Sequence, residues 1–255
     1  MKEQIHTIPI SEAMENAGEC PLCYIERRTE DRVMDFVLGH GASYMEADIR
    51  SMTDEQGFCR NHFKKMFDYG NSLGNAWILK THYMKLMGEM DKEFKKFKPE
   101  KNKNSGLFSK KKDGDSTNSI VSWIKKKEET CFICASVNQT FDAYLRTFFS
   151  MYKEDEDFRK KVASTQGFCL SHFALLCEKA DSTLSAKELE NFYEDVLPLV
   201  SSNMERVYED IAWLIEKYDY QNKDADWKNS KDAIQRGMQK IKGQNPSLPP
   251  HKLKK

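Results

Sequence analysis

The chain has 255 residues, 40 basic and 40 acidic side chains, and 39% hydrophobic residues. That length holds one large domain or two small ones. No stretch approaches the ~18 apolar residues of a membrane span, and the polar, acidic residues 1–19 lack the apolar core of a signal peptide, so a cytoplasmic location is expected.

In chain order, a helical pattern follows Cys23 and runs to about Leu38, where Gly39-His40-Gly41 breaks it. A shorter helix is predicted over 44–52, and another from Phe58 to a glycine stop at Tyr69-Gly70. A long helix over 75–97 carries Leu79, Tyr83, Leu86, Met90, Phe94 and Phe97 at spacings of three and four. Residues 98–117, rich in Lys, Asn, Ser, Gly and Asp, read as a flexible basic linker.

Beyond the linker, Phe141, Tyr144, Leu145, Phe148 and Phe149 mark a helix after Cys134, and a short helix covers 168–179. One apolar stripe then runs from Leu189 to Tyr218, with Pro198 inside it and expected to kink it. The basic tail, 219–255, holds one short helix over 231–242, and its last dozen residues are expected to be disordered. No strand pattern is evident. The fold class is therefore all-α, with a first repeat over 1–97 and a second over 118–218. The long helices, 75–97 and 185–218, are expected to form a shared core.

The halves repeat. Cys20-Pro21-Leu22-Cys23 is followed after 35 residues by Cys59, within Gln56-Gly57-Phe58-Cys59-Arg60-Asn61-His62-Phe63. Cys131-Phe132-Ile133-Cys134 is followed after 34 residues by Cys169, within Gln166-Gly167-Phe168-Cys169-Leu170-Ser171-His172-Phe173. Six cysteines and two histidines recur. Cys177 does not, because its counterpart is Phe67, and it is expected to be a small buried hydrophobe. His6, His40, His82 and His251 also lack counterparts.

Seven cysteines in a reducing compartment fit metal ligation better than disulfides. A Cys-x-x-Cys knuckle brings two thiolates to one ion, and Cys-x-x-His at a helix start puts sulfur and imidazole on one face. Together they make a Cys₃His set, a closed structural zinc tetrahedron. The expected assignment is one zinc site per half: Cys20, Cys23, Cys59 and His62 in the first, and Cys131, Cys134, Cys169 and His172 in the second. Three other readings stay open: an iron–sulfur cluster with one histidine ligand, a redox dithiol at Cys20/Cys23 and Cys131/Cys134, and unliganded core cysteines.

Other signals are weaker. Gly70-Asn71-Ser72-Leu73-Gly74 matches a nucleophile elbow, but that motif needs a strand before it. The lysine-rich run 92–112 is read first as solvated linker and second as a contact for nucleic acid or an acidic membrane. The two folded halves are themselves acidic, with net charges of −3 over 1–97 and −5 over 118–218, which argues against nucleic acid. Trp227 is expected to dock the tail against the core.

The paired blocks, with the tail pattern Tyr218-Asp219-Tyr220, Asp226-Trp227 and Lys231-Asp232-Ala233, resemble an uncharacterised bacterial family catalogued as a domain of unknown function. Some of its members carry a transporter substrate-binding label. The resemblance implies no catalytic residues. The functional expectation is a metal-stabilised interaction or scaffold protein, not an enzyme, with an unidentified protein partner. The alternatives are a thiol-redox or iron–sulfur enzyme or sensor, and a nucleic-acid binder acting through linker and tail.

Overall fold

The structure is a computed structural model and describes residues 7–16, 18–99 and 118–253. Every regular element among the described residues is helical. Helix α1 (Thr7–Asn16) buries Ile10, Ala13 and Met14, the i, i+3, i+4 face of a short amphipathic helix. Helix α2 (Pro21–Leu38) opens with proline at its first position, where the missing N–H costs no helix bond. Helices α3 (Ala47–Gln56), α4 (Arg60–Tyr69) and α5 (Ser72–Lys96) follow. Asn71 caps α5, its side-chain oxygen accepting from the Gly74 N–H at 2.9 Å.

After the undescribed stretch come α6 (Ser119–Glu128), α7 (Phe132–Glu154), α8 (Glu156–Ala163), α9 (Leu170–Thr183), α10 (Ala186–Lys217) and α11 (Ala233–Lys242). Asn118 and Asp155 cap α6 and α8 through their side-chain oxygens. At the start of α10, Glu188 reaches back to accept from both the N–H and the hydroxyl of Ser185. Pro198 lies inside the 32-residue span of α10.

The chain divides into two compact units, and each draws on both sequence repeats. One comprises Met1–Glu30 with Asn138–Pro249. Its core is a run of aromatic contacts: Phe148 meets Phe149, Phe158 and Phe168 edge-on, and Phe149 packs on Phe192 at 5.5 Å between ring centres. Each such ring contributes roughly 1.5–3 kcal/mol by leaving water, so Phe192→Ala is expected to cost about 3–5 kcal/mol. The other unit comprises Asp31–Val137 with Pro250–Lys255. Its core gathers Met34, Val37, Leu38, Met66, Tyr69, Ile78, Phe132 and Ile133.

Several expectations need correction. The helices over 75–97 and 185–218 do not share a core: Ile78 of α5 belongs to one buried cluster, and Phe192, Val196 and Val200 of α10 belong to the other. Much of α5 is open, with Tyr83, Met84, Met87 and Phe94 exposed, because an apolar stripe marks a helical period without naming its partner. The helix predicted over 44–52 is a single 3₁₀ turn at Ser43–Met45 followed by α3, which runs on to Gln56. The last dozen residues are not all loose. The Leu253 N–H donates to the Tyr69 carbonyl at 2.9 Å, and His251 lies 2.9 Å from Asp35. Cys177 is half-buried rather than buried.

Trp227 meets the end of α10, edge-on to the exposed Tyr218 at 6.4 Å with the Lys217 ammonium over its ring, rather than a buried core cluster. The Gly-x-Ser-x-Gly stretch joins α4 to α5, with no strand before it. The linker expectation falls almost wholly on residues 100–117, and His6 is also outside the described residues.

Candidate metal centres

The eight sequence-predicted ligands form two clusters of four, and within each all donor atoms lie within 4.8 Å of one another. The grouping differs from the expected one. Cys20 and Cys23 meet Cys169 and His172, whereas Cys59 and His62 meet Cys131 and Cys134. Each cluster thus takes its Cys-x-x-Cys knuckle from one repeat and its Cys-x-x-His pair from the other. The physical reason lies in the helices between the pairs. Within each repeat, the segment linking knuckle to pair carries the chain from one compact unit into the other.

Local geometry follows from the helix starts. The Cys20 and Cys131 carbonyls accept the N–H groups of Tyr24 and Ala135, the first turns of α2 and α7. Cys59 and Cys169 are the N-cap residues of α4 and α9, with extended backbone. The Cys-x-x-His spacing then places each histidine one turn along. Gly57 and Gly167 stand two residues before, at φ of 60° and 73°, a left-handed turn that suits glycine. A side chain at Gly57 would also strike the His82 ring, whose Nδ1 is bonded to the Asp54 carbonyl.

In the first cluster, His172 Nδ1 lies 3.2 Å from Cys169 Sγ, 3.3 Å from Cys23 Sγ and 3.6 Å from Cys20 Sγ. The sulfurs of Cys23 and Cys169 are 3.6 Å apart. All four residues are buried. In the second, His62 Nδ1 lies 3.2 Å from Cys59 Sγ and 3.3 Å from both Cys131 Sγ and Cys134 Sγ. The Cys59 and Cys134 sulfurs are 3.9 Å apart. Here His62 and Cys131 are buried, but Cys59 and Cys134 are only half-buried.

These donor sets fit a tetrahedral ion. Zinc bonds of ~2.3 Å to sulfur and ~2.0–2.1 Å to nitrogen, at tetrahedral angles, separate two sulfurs by ~3.8 Å and sulfur from nitrogen by ~3.6 Å. The electrostatics point the same way. In the first cluster, hydrogen bonds with Cys20 and Cys23 hold the Cys169 thiol far below its usual range, and those with Cys169 and Cys20 drive the Cys23 thiol far above it. Burial disfavours the charged imidazole of His172, but thiolate contacts with Cys169 and Cys20 outweigh it and raise the group to about 10. In the second, burial opposes ionisation of Cys131, yet His62 and backbone amides bring it down to about 6, while burial and the Cys131 charge push Cys134 up to about 12. Three neighbouring thiolates repel one another, and a divalent cation at either cluster would supply the opposing charge.

Several supporting residues carry no sequence signal. Lys240 of α11 is buried, and its ammonium donates to the Glu19 carbonyl at 2.9 Å and to the Gln166 carbonyl. It therefore ties the loop before Cys20 to the loop before Cys169. Burial lowers its pKa, while the charges of Glu19 and Cys20 oppose that shift. The buried Glu19 carboxylate also meets Arg206 at 2.6 Å and Arg236 at 3.6 Å. Glu26 stands 3.5 Å from His172 Nε2, placed to orient the ring if Nδ1 holds an ion. Gly243 sits over the first cluster: a Cβ there would lie 3.7 Å from Cys23 Sγ and 3.8 Å from Cys169 Sγ.

No helix among the described residues is long and apolar enough to cross a membrane. Neither curated proteins nor solved structures yield a match to the chain. One family model does, over residues 1–247, and the sequence blocks and buried cysteine–histidine clusters all fall within that span. The chain belongs to a family of unknown function, DUF6062.

Proposed function

We propose that the two clusters are structural zinc centres, each a Cys₃His tetrahedron, and that the protein is a metal-stabilised helical scaffold that presents its surface to a protein partner in the cytoplasm. The observation that carries this reading is the closeness of four soft donors in each cluster, all within 4.8 Å. Three thiolates and one imidazole complete a zinc coordination shell and leave no open position, which favours a structural over a catalytic ion. The ligands of an iron–sulfur cluster bind different irons and spread further apart than ligands sharing one ion. The eight residues would hold the ions, and the zinc would supply the charge that lets the thiolates stay ionised. Because each centre joins the two repeats, it would act as a staple between distant parts of the chain. Apparent zinc-binding free energies of roughly 10–16 kcal/mol in small peptides compare with total domain stabilities of about 5–15 kcal/mol.

Elemental analysis of protein purified without a histidine tag tests the reading. Two zinc ions per chain are expected, with a lower thermal unfolding midpoint after chelation. Iron with visible absorbance, or protein that takes up no metal when metal is supplied in excess, would sink it. Cleavage between 99 and 118 tests the exchanged pairing, because the two pieces are expected to remain associated while metal is bound.

A further inference from the structure

The cluster residues correspond across the repeats: Cys134 occupies the place of Cys23, and Cys59 that of Cys169. In the first cluster this pair of sulfurs is covered by Gly243 at the end of α11, and both residues are buried. In the second the same pair, 3.9 Å apart, is half-buried, and the adjoining Arg60, Asn61 and Ala135 are exposed. The two centres therefore hold the same donors behind unequal cover.

We propose that Cys59 and Cys134 form a peroxide-reactive thiolate pair that exchanges the metal of the second centre for a disulfide; this rests on the metal reading above. One of the two thiolates attacks a peroxide oxygen, forming an S–O bond as the O–O bond breaks and hydroxide leaves. The other thiolate then attacks that sulfur, forming the S–S bond as the S–O bond breaks and a second hydroxide leaves. The two sulfurs lose two electrons in total, and the peroxide gains them. The ion, left with Cys131 and His62, is released. The sulfurs need to close from 3.9 Å to about 2.05 Å. Cys59 opens α4, and Cys134 lies in the first turn of α7. The new bond thus joins the same two loops that the ion joined, so the unit keeps its link after the metal leaves.

The test treats the full-length, metal-loaded protein with hydrogen peroxide while a chromogenic chelator reports released metal. One metal per chain is expected to leave on the order of tenfold faster than the other. The chain is expected to lose the mass of two hydrogens, peptide mapping to identify a Cys59–Cys134 crosslink, and helical dichroism to persist. Metals that leave together, a crosslink within Cys131–Cys134 or at Cys20–Cys23, or no release at all overturn this inference while leaving the metal reading intact. Protein that carries no metal before treatment sinks both.

Discussion

The two cysteine–histidine clusters have the same donors, knuckle first along the chain in one and Cys-x-x-His pair first in the other, yet their loops are held by different means. In the second cluster the loops bond to each other directly. The Thr130 hydroxyl donates to the Gln56 carbonyl at 2.7 Å, and the Phe132 N–H donates to the Gly57 carbonyl at 2.9 Å. At the corresponding positions the first cluster has Glu19, with no hydroxyl, and Pro21, with no N–H. There Lys240 joins the Glu19 and Gln166 carbonyls instead. Where proline leaves no backbone donor, a buried cation from the tail makes the link. With three thiolates and a divalent ion bound, the centre beside that cation would be net negative. The comparison separates what the ligand set demands from what each surrounding adds.

The largest effect that could break this comparison is loss of a ligand. Cys169→Ser and Cys59→Ser are each expected to lower metal content from two to one per chain. The loss at the fully buried first cluster is expected to cost more, on the order of 10 kcal/mol of apparent metal-linked stability. Thermal unfolding followed by circular dichroism orders the two variants, and a lower midpoint for Cys59→Ser reverses the ranking.

Next come the loop ties. Lys240→Met leaves two buried carbonyls and part of the Glu19 charge without their cation, for about 3–5 kcal/mol. Thr130→Val removes one neutral hydrogen bond, for about 1 kcal/mol. Urea unfolding that finds the two variants equal would show that the tail cation adds no more than one neutral hydrogen bond.

A smaller effect is expected at Glu26. Glu26→Gln should weaken metal at the first centre by up to about tenfold, through looser orientation of His172, with the second centre unchanged. Competition with a graded series of chelators reads the two sites separately.

The smallest effect concerns the metal-stripped chain. His172 is held at about 10 by burial set against its Cys169 and Cys20 contacts, above the ordinary histidine value near 6.5. A raised folded-state value favours the fold fully below pH ~6.5, and this contribution is lost as pH climbs through about 10. Chelated protein is therefore expected to melt lower at pH 10 than at pH 7, and His172→Asn is expected to flatten that difference.

Much of the site could be read from the chain alone. The eight ligands, their Cys-x-x-Cys and Cys-x-x-His spacing and the helix-start glycines Gly57 and Gly167 are local features. Periodicity, likewise local, placed α4, the two long helices α5 and α10, and the short tail helix α11 within a few residues. Short α1, α6 and α8 escaped, although α4 and α11, at ten residues each, are no longer than α1 and α6.

Which knuckle meets which Cys-x-x-His pair was a matter for tertiary structure. Closure within a repeat, over 34 or 35 residues, and exchange between repeats, over longer loops, differ by only about 1 kcal/mol in loop-closure entropy, since that cost changes slowly with length. The exchange was decided by the paths of α2 and α7, each of which runs from one compact unit into the other. Lys240 and Gly243 were illegible for a related reason. They reach the first cluster from some 70 residues beyond Cys169, and a lone lysine or glycine in a basic tail looks the same in sequence whether it is solvated or pressed against buried sulfur.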